Sequence, residues 1–343
     1  MTTTTHAPFL TTAISSVDGA AGVLRYRGVS LGDLVDADVD YGHAVGLVVD
    51  GDEGKDRGAD LVAGGVPAVA VGGDVYGSVR AAIDAVVVDA DLVVVAGAYG
   101  RAVSRLRGRF IDRGSYAFRV LAGVADGDVD VDDARDLDRC FVIHLDHALN
   151  PSTLALRVAA STGAPFASAA IAALSTLEGP LHGGASSDVG ALLETVVARG
   201  LDDDGVRQWW QALRAQKAKA PGFGHPIYQR RDPRAAPLRA LCERAAARRG
   251  ERRFLDAAVA VERAVVEQSG GKLFANVDFY AACLYATLGV PRALHTALFF
   301  AARVSGWAAH VAEQRARGRV LSPEAGYDGP PARGIGPGAR AAP

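Results

Sequence analysis

Five polar residues stand where the surrounding pattern asks for something bland. Leu181-His182-Gly183-Gly184 puts a histidine directly after Gly179-Pro180 and before two glycines, so that backbone can approach a ligand closely. Gly222-Phe223-Gly224-His225-Pro226 repeats that arrangement, and nine residues on Arg234 follows Asp232-Pro233. Asn276-Val277-Asp278-Phe279 sets a carboxylate at a helix start, where the macrodipole favours an anion. Arg303 lies between Phe299 and Trp307 on one apolar helical stripe, where a charge is costly unless another charge or an anionic ligand meets it. Each has a plainer reading: a turn histidine in water, a helix cap, a buried ion pair. His144 and His147, one helical turn apart in His-Leu-Asp-His, have the spacing of a metal pair, yet two imidazoles without a third ligand are more often structural. Together, two turn histidines, one carboxylate and two placed arginines make an acid/base set around an anionic substrate.

The elements that must hold this set are helices. From Phe141 onward, long Ala/Leu segments are punctuated by Gly and Pro. Residues 166–177, with Phe166, Ile171, Leu174 and Leu177 among alanines, predict a helix packed on several sides and stopped by Gly179-Pro180. Asp232-Pro233 predicts an N-cap with proline at the first helical position, opening a helix that ends at Gly250. The next carries Phe254, Ala258, Val261 and Val265 on one face and ends at Gly270-Gly271; another starts at Asp278 and closes before Pro291. A last long helix spans residues 292–317. No convincing strands alternate with these helices, which argues against a parallel α/β sheet in this half. Up to about residue 140 the chain is rich in Gly, Val and Asp, and no chemistry is placed there. Within it, residues 86–95 pass for a buried strand by their β-branched run, and residues 101–124 look helical. The tail, residues 329–343, reads as disordered.

Composition narrows the class of partner. A chain of 343 residues has room for about two domains. Lys+Arg 37 against Asp+Glu 39 leaves a net charge of −2, which gives no basis for nucleic acid or an anionic membrane as a partner. Apolar residues at 49% and charged residues at 22% exclude a disordered or fibrous chain. Lysine occurs only as Lys55, Lys217, Lys219 and Lys272, a compositional bias, so only the placement of an arginine carries weight. Cys140, Cys242 and Cys283 are far apart and form no Cys-x-x-Cys pair, which supports neither a disulfide framework nor a thiolate metal site. The N-terminus has no cationic start followed by an apolar run, and no apolar stretch reaches the roughly 20 residues a membrane helix needs. The expectation is a cytoplasmic protein.

The motifs resemble those of one family in order and spacing. His147-Ala-Leu-Asn150-Pro-Ser152-Thr153 with Arg157, Gly179-Pro-Leu-His-Gly-Gly-Ala185, Gly222-Phe-Gly-His-Pro-Ile-Tyr228 with Asp232-Pro-Arg234, Asn276-Val-Asp-Phe279, and Arg303-Val-Ser-Gly-Trp307 with His310, Glu313 and Gln314 are similar to the citrate synthase family. Leu24-Arg-Tyr-Arg-Gly28 looks like the family's opening strand turn. The likeness covers residues 22–50 and 140–330; the stretch between matches loosely and is short for the family.

That resemblance implies a mainly α, two-domain helical fold with a small domain inserted in a large one. The large domain would comprise residues 1–182 and 285–328, the small domain residues 183–284, with the tail beyond 328 outside both. It implies a homodimer that condenses acetyl-CoA with oxaloacetate to citrate and CoA, with no metal or redox cofactor, the CoA thioester being a substrate. Asp278 would be the base that takes a proton from the acetyl methyl. His182 would hydrogen-bond the thioester oxygen as the enol forms, and His225 would bind and protonate the oxaloacetate carbonyl. His147, Asn150, Arg234 and Arg303 would hold oxaloacetate. Propionyl-CoA in place of acetyl-CoA, cleavage of citryl-CoA, and a catalytically impaired paralogue that binds CoA or a dicarboxylate are the competing readings. The physics suits the roles: a very weak carbon acid ionises only if charge developing on oxygen meets a preorganised donor, worth about 2.7–4 kcal/mol. Arginines, unlike lysines, clamp a carboxylate bidentately.

Three positions depart from the family pattern. In Leu321-Ser322-Pro323-Glu324-Ala325-Gly326-Tyr327, Ser322 stands where the family carries an Arg that reaches the other subunit's site, and Arg317 or Arg319 would have to replace it. Gln229 stands where Lys or Arg is common, and Ser186 where Asn is common.

Overall fold

The first third of the chain owes its structure to its aspartates. In the computed structural model, which describes residues 10–66, 74–86 and 91–331, a run of short helices there starts at Asp or Ser side chains that accept N–H bonds from the first turn. Ahead of them an antiparallel meander, β1 (Ser15–Asp18), β2 (Val23–Tyr26) and β3 (Val29–Ser30), buries Ile14, Leu24 and Tyr26. Ser30 then caps α1 (Leu31–Asp36), and Asp40 caps α2 (Tyr41–Asp50). After α3 (Gly58–Val62), Asp74 caps α4 (Val75–Ala85) and Asp91 caps α5 (Leu92–Ala102). Ser115 caps α6 (Tyr116–Val124), and Asp130 opens α7 (Val131–His144) through a capping box with Asp133.

This changes two expectations. Residues 92–95 of the β-branched run are helical, because burial against other helices outweighs strand propensity; residues 87–90 lie outside the described residues. Residues 101–124 are not one helix: a 3-10 turn over Val103–Arg107 ends at Gly108, whose φ of 72° breaks the chain before α6.

The second half is helical, as the periodicity predicts. It comprises α8 (Pro151–Ser161), α9 (Phe166–Leu177), α10 (Ala185–Arg199), α11 (Asp203–Ala215), α12 (Ala235–Arg249), α13 (Arg253–Gln268), α14 (Val277–Thr287) and α15 (His295–Arg317), the last preceded by a 3-10 turn at Arg292–Leu294. Asp232 is not the cap of α12, whose first residue is Ala235 with Arg234 before it. The Asp232 carboxylate is taken by the Arg234 side chain instead. Of the tail, residues 329–331 have neither helix nor strand, and residues 332–343 lie outside the described residues. No helix among the described residues is long and apolar enough to cross a membrane.

Two helices organise the packing. α15 is buried on nearly every side among α2, α5, α7, α8 and α9, and its carbonyls at Ala301 and Ala302 accept the Tyr116 (2.7 Å) and Tyr41 (2.6 Å) hydroxyls. α14 is likewise buried all round, among α10, α12 and α13. The two sets are joined by buried carboxylates on α7. Asp136 accepts Arg248 at 2.7 Å, and Asp133 accepts Arg248 at 2.5 Å and Arg249 at 2.8 Å, both arginines from α12.

α15 reaches the end of α7 because residue 306 has no side chain: a Cβ there would overlap the Leu145 carbonyl oxygen. We predict that Gly306→Ala lowers unfolding stability by about 1–3 kcal/mol, through forced displacement of packed backbone. Chemical denaturation measures this, and an unchanged midpoint would show that the crossing is looser than described.

Candidate active site

α7 ends at His144, a buried ring whose Nδ1–H donates to the Cys140 carbonyl at 2.8 Å and whose edge meets Phe299. It packs as a core histidine, and among the described residues it belongs to no group with the spacing of three metal ligands. Two residues on, buried Asp146 accepts from His310 Nε2 at 3.1 Å and from the Ser15 hydroxyl. Burial would raise the Asp146 pKa, but His310 and Arg303 outweigh it and hold the carboxyl below its ordinary value. Ala148, with φ 48°, occupies the left-handed region unfavourable to a residue with a Cβ, and its N–H is tied to Ser15 Oγ at 2.8 Å. Between these anchors His147 is buried, with Nε2 3.0 Å from the Tyr228 hydroxyl. Burial, then Arg234, push its pKa well below the usual histidine range.

The next turn holds His182. Asn150 caps α8 by accepting the Thr153 N–H at 3.1 Å, and the Ser152 hydroxyl lies 2.8 Å from Asn150 Oδ1 and 3.0 Å from His182 Nε2. A hydroxyl has one proton to give. Here it goes to the Asn150 amide oxygen, which can only accept, so the hydroxyl accepts from His182 Nε2–H, and Nδ1 has no protein partner among the described residues. Burial, then Arg303, lower the His182 pKa to about 4, so the ring is neutral near pH 7.

His225 and Asp278 are placed together by backbone. Gly224 N–H donates to the Phe274 carbonyl at 3.0 Å, Asn276 N–H to Gly222 at 2.9 Å, and Asn276 Nδ2 to the Gly224 carbonyl at 3.0 Å. Gly222 (φ 75°) is required twice over, since a Cβ would also meet Phe279 and Val189. Within the loop, His225 Nδ1 accepts the N–H groups of Ile227 (3.1 Å) and Tyr228 (3.2 Å). Arg234 Nη2 lies farther off, 3.4 Å from Nε2, so the two closer backbone donors set the tautomer and the neutral ring carries its proton on Nε2. Its pKa falls to about 4 through burial, then Arg234.

Asp232 joins this loop to α14. Its carboxylate accepts Arg234 Nε at 2.9 Å and Nη2 at 2.8 Å, and also the Val277 N–H at 3.1 Å. Asn276, not Asp278, caps α14: its side chain accepts the Asp278 N–H at 3.0 Å. The half-buried Asp278 carboxylate has no hydrogen-bond partner among the described residues, and burial pushes its pKa up to about 6 against the opposing pull of Arg234 and Arg303.

Arg303 completes the set. It is buried, stacks over Phe299 at 4.7 Å and donates Nε–H to the His144 carbonyl at 2.6 Å, while its Nη2 has no partner. Its charge acts on His147, His182 and Asp278, and that of Arg234 on His147, His225 and Asp278, which ties these residues together, while Asn150 joins them through Ser152 and His182. Asn150 Nδ2 is a second buried donor without a partner. The arrangement offers a carboxylate base, two neutral imidazoles and two unfilled donors, one cationic and one a neutral amide, the needs of a proton abstraction beside an anionic, oxygen-rich substrate. Beside it, a crevice of about 170 Å³ is lined by His225, Gln229, Arg230, Lys272 and Phe274. A cavity of about 980 Å³ against α2, α6 and α7 contains none of these residues. Among the described residues, Asp40, His43 and Asp56 have the spacing of metal ligands, but His43 Nδ1 is paired with the Asp40 carboxylate that caps α2.

Sequence reasoning left Ser152, Tyr228 and Asp232 without roles. Ser152 and Tyr228 carry no signal that separates them from turn residues, and the signal at Asp232, an Asp-Pro pair, pointed to a cap.

A family profile described as "Citrate synthase, C-terminal domain" matches residues 73–324. "Putative citrate synthase 2" of Mycobacterium tuberculosis (strain ATCC 25618 / H37Rv) is 33% identical over 350 residues, covering 93% of this chain and 90% of that protein. A "2-methylcitrate synthase" of Shewanella oneidensis is 38% identical over 193 residues, covering 56% and 50%. The aligned stretch spans about half the length of several curated relatives of this kind. The structure of a Thermoplasma acidophilum citrate synthase in ternary complex with carboxymethyl coenzyme A and oxaloacetate superimposes with a TM-score of 0.81, at 25% identity, over 96% of each chain.

A carboxyl whose pKa is higher folded than unfolded contributes stability at low pH that is lost as pH rises through the folded value, here about 6. Asp278→Asn is therefore predicted to stabilise the fold at pH 7 by about 1–3 kcal/mol, an advantage that narrows from pH 7 towards pH 5. Thermal melts across that range measure it; a variant less stable than the parent at pH 7 would contradict the desolvated carboxylate.

Proposed function

The chain belongs to the citrate synthase family, and from that premise we propose that it condenses acetyl-CoA with oxaloacetate and hydrolyses the citryl thioester to citrate and free CoA. The observation that carries this reading is the Asp278 carboxylate, half-buried and without a hydrogen-bond partner, in the shared field of Arg234 and Arg303. Asp278 takes a proton from the acetyl methyl, and His182 Nδ1–H bonds the thioester oxygen as it gains enol character, once the Ser152 hydroxyl turns from Asn150 Oδ1 to donate to Nε2 and the ring proton stands on Nδ1. The methylene carbon bonds to the oxaloacetate carbonyl carbon while the carbonyl oxygen takes the His225 Nε2 proton, which the two N–H groups at Nδ1 keep in place. Arg303 Nη2 and Asn150 Nδ2 meet substrate oxygens, Arg234 holds a carboxylate from its Asp232 support, and His147 turns its Nε2 from Tyr228 to the substrate. The crevice with Arg230 and Lys272 suits the phosphates of CoA. The ternary complex of the Thermoplasma relative supports these ligands.

Release of thiol from acetyl-CoA only when oxaloacetate is present tests this, with kcat/KM rising through a single group near pH 6 and Asp278→Ala lowering turnover by at least about 1000-fold. Thiol release without oxaloacetate, or undiminished in the variant, would refute it. The 2-methylcitrate synthase relative makes propionyl-CoA the alternative acyl donor, and kinetics with both thioesters decide between them.

In the proposed homodimer, Arg319 replaces the family arginine missing at Ser322. Arg317 is already engaged, bonding Thr11 and facing Glu313 at 3.4 Å, whereas Arg319 has no ion-pair partner among the described residues. Loss of a carboxylate clamp costs about 2–5 kcal/mol, so Arg319→Ala is predicted to raise KM for oxaloacetate at least 30-fold, by roughly 2 kcal/mol, while Ser322→Arg leaves it near the parent value. A lower KM in Ser322→Arg would show the clamp to be simply absent.

A further inference from the structure

The N-terminal hairpin touches both halves of the site. At its base, Ser15 holds the Ala148 N–H, and the Tyr26 hydroxyl donates to the Val142 carbonyl at 3.0 Å, fixing the turn that carries His147. At its tip, between β1 and β2, the Gly19 carbonyl accepts the Gln229 N–H at 3.0 Å, on the loop that carries His225 and Tyr228. The approach is close: a Cβ on Gly19 would overlap the Ile227 carbonyl oxygen, a backbone atom that cannot swing aside. Gly19 has no positive φ, so the demand for glycine at this point is one of space. The tip itself is stiff, since Asp18 Oδ1 accepts the N–H groups of Ala20 (3.1 Å) and Ala21 (2.8 Å), and Gly22 N–H returns to the Asp18 carbonyl at 2.8 Å. The contact falls one residue beyond Tyr228, whose hydroxyl meets His147, and the Ile227 and Tyr228 N–H groups are those that fix the His225 tautomer.

We propose that the β1–β2 tip is a positioning element for the reaction, Gly19 acting through the Ile227–Gln229 backbone to set the His225 ring against the His147 turn. The hairpin precedes residues 73–324, so this role lies outside the segment the family profile matches. The inference rests on the proposed function for its kinetic arm only.

Gly19→Ala pushes the Ile227 carbonyl away from the tip. Misplacement of a reacting group by about 1 Å costs on the order of 100-fold in rate, so kcat with acetyl-CoA and oxaloacetate is expected to fall about 100-fold. KM for acetyl-CoA should change little, with the thermal midpoint near that of the parent. Ala20→Ser, on the exposed side of the same turn, is expected to leave kcat unchanged. Hydrogen exchange supplies a readout independent of activity: the Gln229 amide is protected in the parent and exchanges faster in Gly19→Ala. Asp18→Ala, an exposed substitution that removes the turn's side-chain acceptor, should lower kcat and loosen the same amide, and it serves if Gly19→Ala does not fold. Parent-like kcat in a folded Gly19→Ala, or a Gln229 amide that exchanges alike in parent and variants, would overturn the proposal. If the parent itself releases no thiol, the proposed function fails, and the exchange arm still decides whether the tip positions the His225 loop.

Discussion

The site depends on one carboxylate with four donors. Asp232 accepts the Arg234 side chain through both oxygens, the Arg234 N–H, and the Val277 N–H at the start of α14. Three functional elements are thereby fixed by a single group: the guanidinium of Arg234, the loop leading from His225, and the helix end that presents Asp278. Removing one partner of a buried ion pair costs about 3–5 kcal/mol because the other is left uncompensated. Burial works against the Arg234 charge, and Asp232 more than offsets it, raising the arginine's pKa. Its field in turn acts on His225, His147 and Asp278.

A protein interior is a poor place for charges, and the site uses that. Burial beside arginines keeps His182 and His225 neutral, with pKa values near 4, and a neutral imidazole donates a proton in a hydrogen bond without itself becoming a cation that would repel the arginines. The same burial raises Asp278 to about 6, making it a stronger base than a solvated carboxylate, while the arginines keep it ionised near pH 7. Arg303 is the unbalanced member: its Nε is satisfied by a backbone carbonyl, and its Nη2 faces no acceptor. Such a group destabilises the free protein and favours a bound anion.

The reactive residues were legible because each breaks a local pattern: a charge on an apolar stripe for Arg303, a histidine on a glycine-rich turn for His182 and His225, a carboxylate at the start of an apolar helix for Asp278. The supporting residues were not. Ser152 orients His182 across 30 residues, and Asp232 meets Val277 across 45, so neither contact leaves a trace in local sequence. The Asp-Pro pair at Asp232 has the signature of a cap, and Arg234 competes successfully for that carboxylate. The first third was hard to read for a different reason. Its aspartates cap short helices whose β-branched cores imitate strands, and only burial decides between the two.

The sequence by itself determined the helical character of the second half, most of its starts and stops, the family, and the chemical inventory of the site. Those follow from interactions within a few residues and from side-chain type. Tertiary structure decided the rest: which tautomer His225 takes, why Asp278 is a base with a pKa near 6, that Ala148 is held with φ positive, and that a turn at Gly19 touches a loop from the second half of the chain. Protonation and placement depend on desolvation and on charges brought close by folding, and these have no counterpart in the order of residues along the chain.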